Sequence, residues 1–333
     1  MHLTSGIRTY NAPRSRRLAG RMPEASVNLE EVRSRAYASL LGVAIGDALG
    51  ATVEFMTASE IKQTYGILQD IRGGGWLRLA AGQVTDDTQM TLCVARSIHE
   101  CGFAARDIAH RFADWLRSRP LDVGNTCRRG IRRYIHFDSL AGPPCDGDAG
   151  NGAVMRMAPV AIASLADSSL LRTWAVEQAH ITHHHPLSDA ACIHVGGLLH
   201  LAYLGRSRES MRQYIRLAID SVPSFGYSNY RGVCTAYVVD TMQTVLYHFF
   251  RSRNFEDCLI NTVNQGGDAD TAGAIVGAIA GAYFGLEEIP QRWIKKLDRH
   301  LVDELLNLSH ALEATRLWHR SILLDVSDLF RQN

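Results

Sequence analysis

The chain contains 333 residues, of which 46% are hydrophobic and 21% are charged, and its formal net charge is +1 at pH 7. The hydrophobic fraction excludes a predominantly disordered protein, because disordered chains have too little apolar surface to bury. The balanced charge gives no overall attraction to nucleic acid or to a membrane surface, so we expect neither as a partner.

The cysteines give information about the compartment. There are seven, they are widely spaced, and no Cys-x-x-Cys pair occurs, which argues against a disulfide framework and against a thiolate zinc site. The sequence also lacks an apolar run of membrane-spanning length and the hydrophobic segment of a signal peptide. We therefore expect a soluble, cytoplasmic protein.

The beginning of the chain differs from the rest. Residues 1–23 contain five arginines and no acidic residue, which is typical of a flexible arm, of an organelle transit peptide, or of a segment that becomes ordered on an acidic partner. We predict a basic, flexible arm over residues 1–26 and a single all-α domain over residues 27–333.

Helical periodicity dominates the remainder, and sustained alternation of the kind seen in strands is scarce. The predicted helices cover residues 30–46, 88–100, 104–117, 170–180, 188–203, 211–222, 235–251, 256–264, 271–284 and 291–312. Glycine, proline and asparagine predict loops over residues 121–130, 140–153 and 223–232.

Glycines are regularly spaced along the first predicted helix. Gly42, Gly46 and Gly50 are four residues apart, so they lie on one helix face. This spacing predicts the close approach of another backbone or of a ligand.

Two acidic motifs each precede a predicted helix. They are Thr85-Asp86-Asp87-Thr88 and the segment 266–271, Gly-Gly-Asp-Ala-Asp-Thr. Either motif alone is explained by helix capping, since Asp and Thr are favoured at helix starts. If the two motifs meet, however, their four carboxylates repel unless cations neutralise them, and oxygen ligands favour Mg²⁺ or Mn²⁺ over zinc.

Three further segments contain small residues beside acidic or polar ones: 46–55, 122–126 and 150–156. The second and third resemble loops whose backbone N–H groups hold phosphate oxygens ahead of a helix. Taken singly, however, each of these two loops is more typical of an ordinary turn.

Taken together and in this order, the five motifs resemble the ADP-ribosylglycohydrolase family, and most of all its dinitrogenase-reductase-activating glycohydrolase type. The likeness extends over about residues 32–285. It implies an all-α fold with a central site for two divalent ions, Mg²⁺ or Mn²⁺. It also implies hydrolysis of the N-glycosidic bond between ADP-ribose and a modified side chain, most often arginine.

The resemblance also assigns roles to residues. Glu54, beside the metals, and Asp122, beside the scissile bond, would be catalytic. The implied metal ligands are Thr85, Asp86, Asp87, Asp268, Asp270 and Thr271. The implied pyrophosphate contacts are Gly124, Asn125, Thr126, Asn151, Gly152 and Ala153. Tyr237 would stack on adenine, although Ala236 stands where the family has glycine.

The tract 182–186, Thr-His-His-His-Pro, suggests a second metal site. Histidine is the commonest transition-metal ligand, but the aspartate motifs already supply a complete set for hard ions. We expect these histidines to pack and to form hydrogen bonds instead.

The function expected from the sequence is therefore metal-dependent removal of mono-ADP-ribose from arginine side chains of an ADP-ribosylated protein. One alternative is hydrolysis of another ADP-ribosyl linkage, such as that to serine. Another is an immunity or regulatory protein that blocks an ADP-ribosylating toxin through residues 1–23. A P-loop nucleotide hydrolase is excluded because Gly-x-x-x-x-Gly-Lys does not occur.

Overall fold

The structure, a computed structural model, describes residues 28–232 and 234–313. Within these ranges the chain forms helices and no strand, as the sequence predicts. The helices are α1 (Leu29–Gly50), α2 (Ala58–Tyr65), α3 (Asp86–Cys101), α4 (Ala105–Arg117), α5 (Asn125–Phe137), α6 (Ala158–Ser164), α7 (Ser168–His180), α8 (Pro186–Tyr203), α9 (Arg208–Ser221), α10 (Val238–Arg251), α11 (Phe255–Val263), α12 (Ala269–Phe284), α13 (Gln291–Ile294) and α14 (Arg299–Glu313). Three short 3-10 turns lie between them, at Asp146–Asp148, Pro223–Phe225 and Leu286–Glu288.

The centre of the fold is the antiparallel pair α1 and α12, which touch along a stripe of glycines. A Cβ atom added at Gly46 would lie 2.0 Å from the carbonyl oxygen of Gly273, and one added at Gly42 would lie 2.1 Å from that of Gly277. The predicted close approach is therefore made by a second backbone. It places the end of α1 beside the beginning of α12, where the second acidic motif lies.

Other helices surround this pair. Helix α12 is apolar and buried on nearly every side, and it packs against α8, α10 and α11. Helix α3 packs against α4, α6 and α14 and begins close to the end of α1. The arrangement leaves the starts of α3 and α12 next to each other within the core.

Some helix predictions were wrong. The predicted loop 121–130 contains the first turns of α5, because Cys127, Ile131 and Tyr134 form a buried helical stripe that its glycines and asparagine obscured. Helices α2, α5 and α6 were not predicted. The predicted helix 291–312 is interrupted between α13 and α14, where the Asp298 carboxylate accepts a hydrogen bond from the Leu301 N–H and so begins a new helix.

No described helix combines the length and the apolar character needed to cross a lipid bilayer. All seven cysteines lie in described residues, and all are free thiols. The predicted arm, residues 1–26, lies outside the described residues, so the division into arm and domain stays a prediction.

Candidate metal centre

Six carboxylates converge where the chain leaves α1 and enters α3 and α12. We call them the acidic cluster: Glu54, Asp86, Asp87, Asp122, Asp268 and Asp270. One carboxylate oxygen from each of Glu54, Asp122 and Asp270 lies within 4.8 Å of the other two. Oδ2 of Asp87 lies 3.2 Å from the hydroxyl oxygen of Thr85 and accepts a hydrogen bond from the hydroxyl of Thr271 at 3.4 Å. The fold thus brings the two acidic motifs together.

Asp47 organises the first motif, and sequence reasoning assigned it no role. Its fully buried carboxylate accepts hydrogen bonds from the N–H and the hydroxyl of Thr85, at 3.0 and 2.9 Å. It also accepts from the N–H and hydroxyl of Thr88, at 3.1 and 2.5 Å. Asp47 therefore fixes the turn that presents Asp86 and Asp87. The available signal was its place directly after Gly46, within the series of regularly spaced glycines.

The diglycine before Asp268 holds the second motif against the turn that follows α1. Gly266 and Gly267 have φ values of 72° and 66°, a conformation that suits glycine. The N–H of Gly267 donates to the carbonyl of Met56 at 2.8 Å, and its own carbonyl accepts from the N–H of Phe55 at 2.7 Å. These bonds tie the start of α12 to the turn that contains Glu54.

The cluster has the properties of a site for hard divalent cations. Burial, followed by repulsion from neighbouring carboxylates, raises the pKa of Asp86 to about 7 and raises the pKa of Asp87 and Asp270 well above the usual value. Oδ1 of Asp87 is buried and has no hydrogen-bond partner among the described residues. An unpaired buried oxygen beside crowded carboxylates is stabilised by a bound cation, and the oxygen-only donors suit Mg²⁺ or Mn²⁺.

Without a cation, these carboxyl groups make stability depend on pH. Burial raises the pKa of Asp47 to about 6 and that of Glu54 to about 8, from 3.8 and 4.5. A carboxyl group with a raised pKa binds more protons in the folded than in the unfolded state, so folding stability falls as the pH rises between the two values. We expect the melting temperature in EDTA to fall from about pH 4 to about pH 8 and the decline to be smaller with Mg²⁺. An equally flat profile in both conditions would contradict this expectation.

The predicted phosphate loops flank the cluster, and some of their N–H and amide groups donate hydrogen bonds to other groups of the protein. The N–H of Gly124 donates to Oδ2 of Asp86 at 3.1 Å. The N–H of Asn151 donates to the carbonyl of Ala236, and its side-chain amide donates to Oδ2 of Asp268 at 2.5 Å. Asn151 and Gly124 thus contact the acidic cluster directly, in addition to any contact with phosphate.

The remaining members of these loops directly follow Gly124 and Asn151 in the chain. Asn125 and Thr126 form the first turn of α5, where N–H groups lack partners within the helix. Gly152 and Ala153 are buried just after Asn151. Their contacts to pyrophosphate stay a prediction.

A buried arginine supports the second loop, and sequence reasoning gave it no role. The guanidinium of Arg156 donates to the carbonyl of Gly152 at 3.0 Å, to the side chain of Gln178 at 2.7 Å and to the hydroxyl of Thr182 at 2.8 Å. Because the guanidinium is fully buried and these bonds are made with groups inside the core, Arg156 holds the loop and is not available to a ligand.

Tyr237 borders the same loop. It faces Gly150 in an isolated bridge, and the adjacent N–H of Val238 donates to the carbonyl of Ala149 at 3.0 Å. Its side chain is 44% exposed. The ring is therefore accessible to a ligand, and its stacking on adenine stays a prediction.

The histidine tract does not contribute to the acidic cluster. Nδ1 of His183 lies 2.8 Å from the hydroxyl of Thr182, and Nδ1 of His184 lies 2.6 Å from the carbonyl of Gly142. The His185 side chain accepts from the N–H of Leu187 and begins α8. Among the described residues, the group of side chains that could hold a metal ion contains no histidine. The expected packing and hydrogen bonding agree with these contacts.

Trp76 is a third side chain at the site to which sequence reasoning assigned no role. Its indole N–H donates to Oε2 of Glu54 at 2.5 Å. The three glycines before it, at 73–75, were the signal for an unusual loop.

The family model described as ADP-ribosylglycohydrolase matches residues 28–321. The chain belongs to the ADP-ribosylglycohydrolase family. The resemblance inferred from the motifs and the all-α fold that it implied are both confirmed.

Relatives within the ADP-ribosylglycohydrolase family cover most of the chain. The chain is 51% identical to ADP-ribosyl-[dinitrogen reductase] glycohydrolase of Rhodospirillum rubrum, over 84% of this chain and 97% of the relative. It is 32% identical to ADP-ribosylarginine hydrolase Tri1 of Serratia proteamaculans, over 87% and 82% respectively. A solved structure titled ADP-ribosylglycohydrolase-related protein complex matches with a TM-score of 0.75 and 34% identity, over 85% of this chain and 98% of that chain.

Proposed function

We propose that this chain is a metal-dependent hydrolase that removes mono-ADP-ribose from arginine side chains of proteins and so reverses ADP-ribosylation. The observation that carries the proposal is the acidic cluster, in which two motifs far apart in sequence meet around an unpartnered oxygen of Asp87. Two relatives support the substrate class, because one is named as acting on ADP-ribosyl-dinitrogen reductase and the other as an ADP-ribosylarginine hydrolase.

We propose that the acidic cluster holds two divalent ions, Mg²⁺ or Mn²⁺. The ligands would be Thr85, Asp86, Asp87, Asp268, Asp270 and Thr271. Two such ions would balance the charge of four aspartates, which otherwise repel one another in the core. When bound, the ions would supply Lewis-acid stabilisation and anchoring points for the ribose hydroxyls.

Two carboxylates then remain for the chemistry. Hydrolysis breaks the bond between ribose C1″ and a guanidinium nitrogen, adds water to C1″, and passes through a transition state with oxocarbenium character. Glu54 and Asp122 lie close together, and Asp122 is the less buried of the two. They would accept the proton of the attacking water and hold the departing guanidine.

The loops on either side would bind the rest of the substrate. The N–H groups of Asn125 and Thr126 at the start of α5, and those of Gly152 and Ala153, would hold the pyrophosphate. Gly124 and Asn151 would align those loops with the cluster through their bonds to Asp86 and Asp268. Tyr237 would stack on adenine. Such remote contacts orient the reacting carbon and lower the barrier.

The deciding experiment is to incubate the purified protein with an arginine-ADP-ribosylated protein in Mg²⁺, in Mn²⁺ and in EDTA, and to measure released ADP-ribose. Release that requires a metal is the expected result. No release in any condition, from protein that still binds ADP-ribose, would overturn the proposed activity. A parallel substrate with serine-linked ADP-ribose tests the alternative linkage, and preferential release from serine would favour it.

The proposed partner is an ADP-ribosylated protein, and the proposed location is the cytoplasm. The free thiols of all seven cysteines are consistent with a reducing compartment. The alternative partner, an ADP-ribosylating toxin bound by residues 1–23, rests on sequence alone because that segment lies outside the described residues.

Deletion of residues 1–23 distinguishes between the two proposed partners, the ADP-ribosylated protein and the toxin. The family model begins at residue 28, so we expect the truncated protein to keep its kcat/KM for an arginine-linked substrate to within about twofold, as is usual when a terminal segment outside the domain is removed. If the arm instead supplies part of the active site, activity will fall with the deletion. Loss of binding to a transferase, with hydrolysis unchanged, would support the toxin-blocking role.

A further inference from the structure

An exposed aromatic pair, Phe55 and Trp76, stands beside the acidic cluster. The side chains are 66% and 52% exposed, and their ring centroids are 5.3 Å apart. Phe55 follows Glu54 directly, and Trp76 donates its indole N–H to the Glu54 carboxylate. The pair and Glu54 therefore form one local unit at the mouth of the site.

The backbone at Phe55 is in a conformation that disfavours a large side chain. Its φ is 63°, in the left-handed region where a residue other than glycine is strained. The ring contributes little to the core, because most of it remains in solvent. A glycine would satisfy this turn at lower conformational cost, so the aromatic side chain is explained better by a ligand than by folding.

The loop that carries Trp76 is also specialised. Gly73, Gly74 and Gly75 have φ values of 69°, 87° and 65°, and Gly74 exchanges hydrogen bonds of 2.7 and 2.9 Å with Leu79. A Cβ atom at Gly75 would lie 2.4 Å from the carbonyl oxygen of Ala51. This tight turn packs against the end of α1 and holds the indole N–H against the Glu54 carboxylate.

An exposed aromatic pair beside a carboxylate favours the binding of a planar cation. Aromatic faces attract guanidinium groups, which stack on them, and an adjacent carboxylate adds charge and hydrogen-bond acceptors. Only one oxygen of Glu54 is engaged by Trp76 in the structure. The proposed ions balance the four aspartates, so the carboxylates of Glu54 and Asp122 remain to make the local potential negative, which favours the same class of ligand.

We propose that Phe55 and Trp76 form the acceptor subsite, which binds the guanidinium side chain to which ADP-ribose is attached. The inference rests on the proposed function and deepens it, since it assigns residues to the part of the substrate that leaves. Trp76 has a second task as a positioning residue, because its N–H fixes the orientation of the Glu54 carboxylate.

The test compares KM for ADP-ribosylarginine with the Kd for ADP-ribose. We expect Phe55→Gly and Trp76→Ala to raise KM about 3- to 30-fold, the range of a cation–π contact. The Kd for ADP-ribose should change by less than about twofold, because a contact to the departing group is absent from that ligand. Trp76→Phe keeps an aromatic face but lacks the N–H, so we expect kcat to fall about tenfold with little change in KM.

Phe137→Ala is the matched control. Phe137 is 77% exposed and lies at the opposite end of α5 from Asn125, about 18 Å away along the helix axis. This variant should behave as wild type in both measurements, and melting temperatures of all variants should stay close to that of the wild type.

Two results would overturn the acceptor subsite. One is an unchanged KM in both Phe55→Gly and Trp76→Ala. The other is a parallel loss of ADP-ribose affinity, which would place the pair on the ADP-ribose side. Failure of the wild-type protein to cleave ADP-ribosylarginine at all is a different result, and it would refute the proposed function itself.

Discussion

Asp270→Ala should reduce metal-dependent release of ADP-ribose about 10³-fold, since metal-based charge stabilisation supplies several kcal/mol and each 1.36 kcal/mol is a factor of ten in rate. Asp270 is buried at the start of α12, and its oxygen lies within 4.8 Å of those of Glu54 and Asp122. Its substitution would remove one of the proposed metal ligands. Initial rates with saturating Mg²⁺ or Mn²⁺ measure the effect.

The same variant should be more stable than the wild type when no metal is present. Burial and repulsion from Asp87 and Glu54 raise the pKa of Asp270, so its removal relieves an unfavourable buried charge above neutral pH. We therefore expect a higher melting temperature in EDTA at about pH 8, and a smaller rise on adding metal. Asp114→Ala, on the exposed face of α4, is the control and should change neither property. Full activity with a normal metal response would exclude Asp270 as a ligand.

Gly46→Ala should destabilise the protein by about 3 kcal/mol or more, the upper end of the cost of overpacking a core. The added Cβ would lie 2.0 Å from the carbonyl oxygen of Gly273, and backbone cannot move aside as a flexible side chain can. Helices α1 and α12 must separate. Because Asp47 and the second acidic motif lie at the adjoining helix ends, activity should fall as well.

Thermal unfolding checks this expectation, and Gly147→Ala provides the control. Gly147 is exposed, and a Cβ added there meets only the sulfur of Cys145, at an ordinary 3.6 Å. The control should retain the wild-type melting temperature and metal-dependent activity. If Gly46→Ala also retains its melting temperature, the close contact between α1 and α12 is not a determinant of stability.

Some of the site was predictable because its signals are local. A threonine and two aspartates at a helix start, or a diglycine before Asp268, are recognisable within a few residues, and a colinear series of such motifs identified the family. The regular spacing of Gly42, Gly46 and Gly50 likewise predicted a close backbone contact. Both kinds of signal can be read from the sequence because they depend on helix periodicity and on steric limits at single residues.

Other parts required contacts between distant segments. Asp47 bonds to Thr85, which is 38 positions away, and Trp76 bonds to Glu54, which is 22 positions away. No local sequence pattern predicts such partners. Helix α5 was not predicted because glycine and asparagine at its start favour a loop locally, whereas burial of its apolar stripe stabilises the helix.

The sequence by itself determined the all-α class, the family and the chemical types of the ligands, since these follow from periodicity and from short motifs. Only the tertiary structure decided that the acidic motifs share one buried cluster, that Asp47 holds the first of them, and that Phe55 and Trp76 stand over Glu54. The physical reason is that burial and electrostatic coupling depend on which surfaces meet, and here the glycine contact between α1 and α12 brings those surfaces together.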